Sequence, residues 1–451
     1  MGNQIVFDVY DEVREAMYHP DLSRSLDKRS FDEGNPRAGI LSLLHGDEHK
    51  MRRRAENPLF QRQALVEYEQ QLFPEILTEI LARAAVGRAD LFELGGALSV
   101  VLAARRAGVD HAGDHEQLAE LFDYVKVIAQ AAAIFDVVGD HDLVQTETIQ
   151  VLRDFDERYV LPSRRRREGL LDAVDAGETD ETSETGKTGK TGGAGRSDEK
   201  PPHDLLTIAL QRLRAGDETF ADHGLLVREA GLFLHGGSHT SAQTLCNAFY
   251  FLFGLDGTGT RTGWLGRAAE GLLDAQKCVH ETVRLRPPNP ELRRLAERDT
   301  EVAGTTVPKG TRIVLDVRKA NRDPELFGEN PEQFDPDRRV RDDVALWGLS
   351  FGAGPHICIG RSVAGGLPLT GAAVRERSTR PGHLYGLVAL MVQAIAARGV
   401  RPDPERTPEL DRRTTRGTRW LRFPVVFPGG EAGPDARPGA GQPVVTERLN
   451  G

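Results

Sequence analysis

The chain has 451 residues, with 58 Lys and Arg against 68 Asp and Glu and a formal net charge of −10. That balance provides no basic field to draw in nucleic acid. Its three cysteines, at 246, 278 and 358, lack the spacing of a disulfide framework and fit a reducing compartment.

No stretch reaches the roughly 18 uninterrupted apolar residues of a membrane span. The opening run Met1-Gly2-Asn3-Gln4-Ile5-Val6 carries neither a secretory leader nor a myristoylation signal. A soluble, cytoplasmic protein is expected, without a membrane anchor.

In chain order, residues 5–20 combine a short apolar run with a helical pattern (Val13, Ala16, Met17) that ends at Pro20. Residues 50–170 read as successive amphipathic helices, with apolar positions three and four apart in Leu65-Tyr68-Leu72-Ile76-Ile80. Residues 175–202 carry almost no apolar side chain and cannot offset their ordering entropy, so a disordered insert is expected there. Its Gly-Lys-Thr repeats lack the strand and helix that a phosphate-binding loop requires. Helical patterning returns from Asp204 to residue 286. Strand-like pieces follow over 300–317, with turn signals at Ala303-Gly304 and Pro308-Lys309-Gly310. Residues 366–382, with Gly365-Gly366 and Arg380-Pro381-Gly382 at their edges, break the pattern again. They carry Arg375, Arg377 and Arg380. The stretch 383–397 reads as a core helix, and 429–451 as a flexible tail.

Four clusters carry candidate chemistry. In Ser350-Phe351-Gly352-Ala353-Gly354-Pro355-His356-Ile357-Cys358-Ile359-Gly360, glycines let backbone N–H groups approach the sulfur, and a helix start beyond it favours thiolate. Phe351 would shield that sulfur from water. Glu281-Thr282-Val283-Arg284 places an acid and a guanidinium on one helix face, upstream of Phe334-Asp335-Pro336-Asp337-Arg338. His49 and Arg53, four apart, project from one side of a helix. Leu234-His235-Gly236-Gly237-Ser238-His239-Thr240 joins a glycine pair to a histidine and a hydroxyl.

Together, and in this order, these motifs resemble those of the cytochrome P450 family, and the resemblance covers about residues 5 to 425. It implies a mainly α fold with small β-sheets (α+β), a single large helical haem domain over 1–428. It implies haem b (iron protoporphyrin IX) with Cys358 as axial metal ligand. His49, Arg53, Arg294 and His356 would hold the propionates, with Arg293 as a neighbour able to replace Arg294. Phe351, Gly352 and Gly360 would shape the ligand loop, and Gly236 and Gly237 would widen the distal helix beside the haem. Glu281, Arg284 and Arg338 would form a structural network.

Thr240 and His239 would deliver protons. His239 stands where the family carries an acid, and a histidine can shuttle protons near neutral pH. Family members carry several dozen residues, with a first helix and sheet strands, before the pattern at residues 5–20; either this chain dispenses with that cap or its true start lies upstream. Residues 366–382 interrupt a helix the family builds in one piece.

The resemblance implies an oxidoreductase, a monooxygenase acting with O2 on a small, largely apolar substrate, in specialised metabolism. Electrons would come from NAD(P)H through a separate ferredoxin and ferredoxin reductase, and the protein would be a monomer. Two alternatives stay open: a peroxide-driven, coupling or desaturating oxidase, and a non-catalytic haem or ligand-binding protein.

Overall fold

The computed structural model describes residues 4–26, 28–111, 113–181, 200–257, 262–370 and 381–429. Helices dominate. The largest apolar core joins Leu91–Ala107, His115–Ala132, the long helix through residue 240, Leu272–Leu285 and Leu387–Ala396. Leu91–Ala107 is buried almost all round, which fits its place at the centre of the helical layer. Asp90 caps its first turn and Gly108, at φ 82°, ends it.

A second core lies under a four-stranded sheet. Gln4–Phe7 pairs in parallel with Arg312–Asp316, which pairs antiparallel with Glu291–Ala296. Leu22–Ser23 completes the sheet on the far side of Glu291–Ala296. The helical pattern ending at Pro20 is the helix Tyr10–Tyr18, whose buried Val13, Ala16 and Met17 join this core. Thr300–Val302 and Thr305–Val307 form a hairpin across Ala303 (φ 50°) and Gly304 (φ 75°), the paired left-handed residues that a two-residue turn requires.

The helix Leu161–Glu181 runs on into the segment expected to be irregular from 175. Residues 182–199, the rest of that segment bar its last three, lie outside the described residues. The tail from 430 and residues 371–380, with Arg375, Arg377 and Arg380, lie outside them too.

After the cysteine loop the described residues form one helical turn, Arg361–Ala364, and then the helix Leu387–Ala396. The ends of this excursion are pinched together. A Cβ on Gly366 would run into the Leu384 carbonyl, and one on Gly386 into the backbone of Gly366. Gln276 donates to the carbonyls of Gly365 and Leu367 at 3.0 Å, and His280 contacts Gly365 O at 2.7 Å. Glu69 accepts the N–H groups of Tyr385 and Gly386, both at 2.8 Å. These bonds stitch the broken helix back onto the core, so the excursion leaves the scaffold behind Cys358 in place.

Candidate active site

Glu281 and Arg284 lie on one face of Leu272–Leu285, both wholly buried. The guanidinium of Arg284 donates twice to the Glu281 carboxylate, at 2.7 Å each. Arg338 adds a third bond at 3.0 Å, and the Asp335 N–H a fourth at 3.0 Å. Arg284 also donates to Asn321 O at 2.7 Å, and Asn321 in turn holds Leu349 N and Ser350 Oγ. The network therefore ends on the first residues of the cysteine loop. Cys358 N donates back to Phe351 O at 2.8 Å, closing that loop.

Inside the helical layer is a cavity of about 430 Å³. One part of its lining is the cysteine loop, with Phe351, Gly352, His356, Cys358 and Gly360. His49 and Arg53 line it from the helix Gly46–Glu56. Gly236, Gly237, His239 and Thr240 line it from the distal helix. That helix runs His223–Leu234, widens into a π-turn at His235–His239, and continues as Thr240–Leu252. The widening falls on the glycine pair. Gly236 opens onto free space, whereas a Cβ on Gly237 would stand 3.0 Å from Ala103. Thr240 Oγ1 donates to Gly236 O at 2.8 Å.

Cys358 has an exposed face, yet it lies deep within the protein; its open surface is the cavity wall, not the outer solvent. Burial raises its thiol pKa. The Gly360 N–H and the guanidinium groups of Arg53, Arg24 and Arg361 oppose that rise. The helix beyond it is a single turn, so these four groups, rather than a helix dipole, are what favour the thiolate.

A set of basic side chains gathers nearby. His49 packs against His356 with ring centroids 4.1 Å apart, and His45 stacks on His356 at 5.9 Å. Burial lowers His49 to about 4 and His356 to about 2, with Arg24 adding to both shifts. Burial, with Arg24 beside it, lowers Arg294 to about 9. Among the described residues Arg294 finds only the Arg293 carbonyl as acceptor. It is not among the cavity-lining residues, whereas Arg24, His49, Arg53 and His356 are. Arg293, its neighbour on the strand, lines the cavity and is tied to Asp136 at 2.6 Å.

His239 is buried edge-on to Phe92, with centroids 5.7 Å apart. Burial, then Arg419 and His235, push its pKa well below the usual histidine value. This corrects the expectation of a ring that titrates near neutral pH. His239 is uncharged there, and a relay through it would use the neutral ring, one nitrogen taking a proton as the other gives one up.

Two further features escaped the sequence reading. Arg24 carries no motif. Glu56, one turn beyond Arg53, lines the cavity fully buried, with neither carboxylate oxygen hydrogen-bonded among the described residues. Beside it, Arg52 donates to Glu229 at 3.1 Å, and Leu41 N donates to both Glu229 oxygens. Burial raises Glu56 well above the carboxylate range, with Glu229 adding to the rise, and burial raises Glu229 to about 7. In the window between unfolded and folded pKa the native chain holds protons that the unfolded chain has lost. Stability therefore falls as pH rises above the ordinary carboxylate range. Glu56→Gln removes that penalty while keeping the shape. Its melting temperature should exceed the wild type's by about 1–3 °C near pH 8, from roughly 1–3 kcal/mol, with the gap closing toward about pH 5. A gap that is constant with pH would show that Glu56 does not titrate in this way.

A helical body thus encloses a cavity walled by one glycine-flanked cysteine and by a widened helix. A family model described as Cytochrome P450 matches residues 272–365. The putative cytochrome P450 YjiB of Bacillus subtilis is 30% identical over 165 residues, 37% of this chain and 38% of that protein. The matched stretch thus spans well under two thirds of this relative. Cyclooctat-9-en-7-ol 5-monooxygenase of Streptomyces melanosporofaciens is 27% identical over 385 residues, 77% of this chain and 75% of that protein. Among solved structures, ligand-free CYP164A2 of Mycobacterium smegmatis superposes with a TM-score of 0.64 at 20% identity, covering 94% of this chain and 90% of that one. A mutant of P450 EryK in complex with erythromycin B gives 0.61 at 19%, covering 95% and 92%. Residues 272–365 thus match the cytochrome P450 family, and the fold of the chain is the mostly helical fold with small sheets of these P450 structures.

The family implies a haem iron, and the residues present fit one. Cys358 turns its thiol into the cavity. Arg24 and Arg294 sit beside the uncharged His49 and His356 in a buried cluster with no carboxylate bonded to it among the described residues, and the two guanidinium groups carry positive charge that a pair of propionates would neutralise.

Proposed function

We propose that the chain is a monooxygenase that uses O2 to oxygenate a small, largely apolar organic molecule, drawing electrons from a separate ferredoxin and its NAD(P)H-dependent reductase. The observation that carries this reading is the placing of Cys358 and the Thr240 turn on the walls of one cavity. Haem bound to Cys358 would supply oxygen activation. His49, Arg53, Arg24, Arg294 and His356 would bind its propionates by charge-assisted hydrogen bonds. Thr240 would hold a proton at Oγ1, which now donates to Gly236 O and is free to turn into the cavity. His239 would pass protons through its neutral ring, and Phe92 would keep bulk water from it. Phe351, resting on Trp347 at 4.9 Å, would screen the sulfur.

A neutral histidine in place of an acid also favours a second reading, oxidation driven by hydrogen peroxide, which arrives with its protons already in place. Turnover should be compared with NAD(P)H, ferredoxin and reductase on one side and with hydrogen peroxide alone on the other. Product formed with the electron chain, and His239→Phe diverting about half or more of the electrons into peroxide, would support the monooxygenase and the relay. Product formed with peroxide alone, unaffected by His239→Phe, would replace it with the second reading.

A further inference from the structure

The cavity has a second polar corner, built from the distal helix and the segment 411–419. Asp136 accepts Arg293 at 2.6 Å and Arg416 at 2.7 Å. Arg416 also reaches Pro288 O and Asn289 Oδ1, both at 2.9 Å, so its Nε and Nη1 are engaged. Arg413 grips Asp411 through two nitrogens, at 2.9 and 3.2 Å.

Arg419 is different. It is 8% exposed, it lines the cavity, and its nearest carboxylate is the already occupied Asp411, at 3.5 Å. No hydrogen bond joins its guanidinium to any described residue. Four arginines (293, 413, 416 and 419) thus meet three carboxylates (Asp136, Glu291 and Asp411), and Arg419 holds the surplus charge.

His235 completes the corner. It lies at the start of the π-turn, lines the same cavity, and has no hydrogen bond at either ring nitrogen among the described residues; its Nδ1 is buried without a partner. Among the surrounding cations Arg419 acts most strongly on its ring, and burial with that charge lowers its pKa to about 3. Burial brings Arg419 only to about 10. At neutral pH the corner therefore offers one permanent cation and one uncharged ring N–H. A buried guanidinium whose one carboxylate neighbour is shared with Arg413 is costly, and the group that matches its planar fork is a carboxylate.

We propose that Arg419 and His235 receive a carboxylate of the substrate, so that the cavity takes organic acids, the apolar body of the acid lying along Leu232, Ile128, Leu152 and Val283. The proposal rests on the haem-protein reading above and names the substrate class of that site. Arg419 supplies two parallel N–H donors and His235 one more, while an ester or alcohol of the same skeleton forfeits the charge-assisted bonds.

The test is optical titration of the resting, haem-loaded protein, without electron donors, using a panel of aliphatic and aromatic carboxylates and their methyl esters. The carbon monoxide spectrum of the same sample reports separately on the haem-thiolate reading. Carboxylates should bind about 10–100-fold more tightly than their esters, the factor expected of one or two charge-assisted bonds. Arg419→Gln should erase that preference, Arg419→Lys should restore part of it, and His235→Phe should reduce it several-fold. Equal affinity for acids and esters, failure of every acid to bind, or equal loss of both classes in Arg419→Gln would overturn the proposal. So would a nitrogen-ligated resting spectrum that disappears in His235→Phe, because His235 would then be an iron ligand.

Discussion

Glu281→Ala should yield almost no folded, haem-loaded protein, whereas the more conservative Glu281→Gln should yield a small fraction. Glu281 accepts two bonds from Arg284, one from Arg338 and one from Asp335 N. Both guanidinium groups are buried, Arg284 completely. Removing the carboxylate leaves two desolvated cations without their anion, a loss on the order of 3–5 kcal/mol for a broken buried pair. That is a large fraction of the stability of a typical domain. The damage would reach the site as well, since Arg284 positions Asn321, and Asn321 positions Leu349 and Ser350 at the head of the cysteine loop. Soluble yield, melting temperature and haem content of the purified variant check this. A Glu281→Ala protein that melts within a few degrees of the wild type would show that the network contributes little.

Some of this arrangement is legible in the sequence because local spacing encodes it. Three residues on a helix put Glu281 under Arg284, four put His49 beside Arg53, and a glycine pair allows the π-turn at His235–His239. The hairpin across Ala303-Gly304 follows from turn chemistry in the same way. What stays hidden depends on contacts between distant segments. Arg52 meets Glu229 across 177 residues, and Arg293 meets Asp136 across 157. Nothing in Arg24 distinguishes it from the other arginines of the first thirty residues until the fold sets it against Arg294 and Cys358. Burial is hidden too. His239 reads as a near-neutral proton carrier from its residue type, and only its position beside Phe92, His235 and Arg419 makes it a neutral ring. The orphaned carboxyl of Glu56 falls one turn after Arg53, a spacing that marked a helix face but gave no sign that the face turns inward.

Cys358→Ser should leave a folded chain that has lost the absorption characteristic of thiolate ligation in its reduced, carbon monoxide-bound state. The fold should survive because the residue's structural contribution is a backbone one. Cys358 N donates to Phe351 O, a bond serine keeps, and serine fits the same space next to an open cavity. The ligand should not survive. A thiol held up by burial would ionise on binding an iron, helped by Gly360 N–H and by Arg53, Arg24 and Arg361. A serine hydroxyl ionises far less readily, and the same three guanidinium groups cannot make up that difference. No other cysteine can step in. Cys246 and Cys278 are fully buried, lie outside the cavity lining, and are held as thiols by burial. The readouts are the carbon monoxide difference spectrum, haem content and melting temperature of wild type and variant measured side by side. A variant that keeps the thiolate spectrum would mean that the iron is held elsewhere, and the reading of this cavity would fall with it.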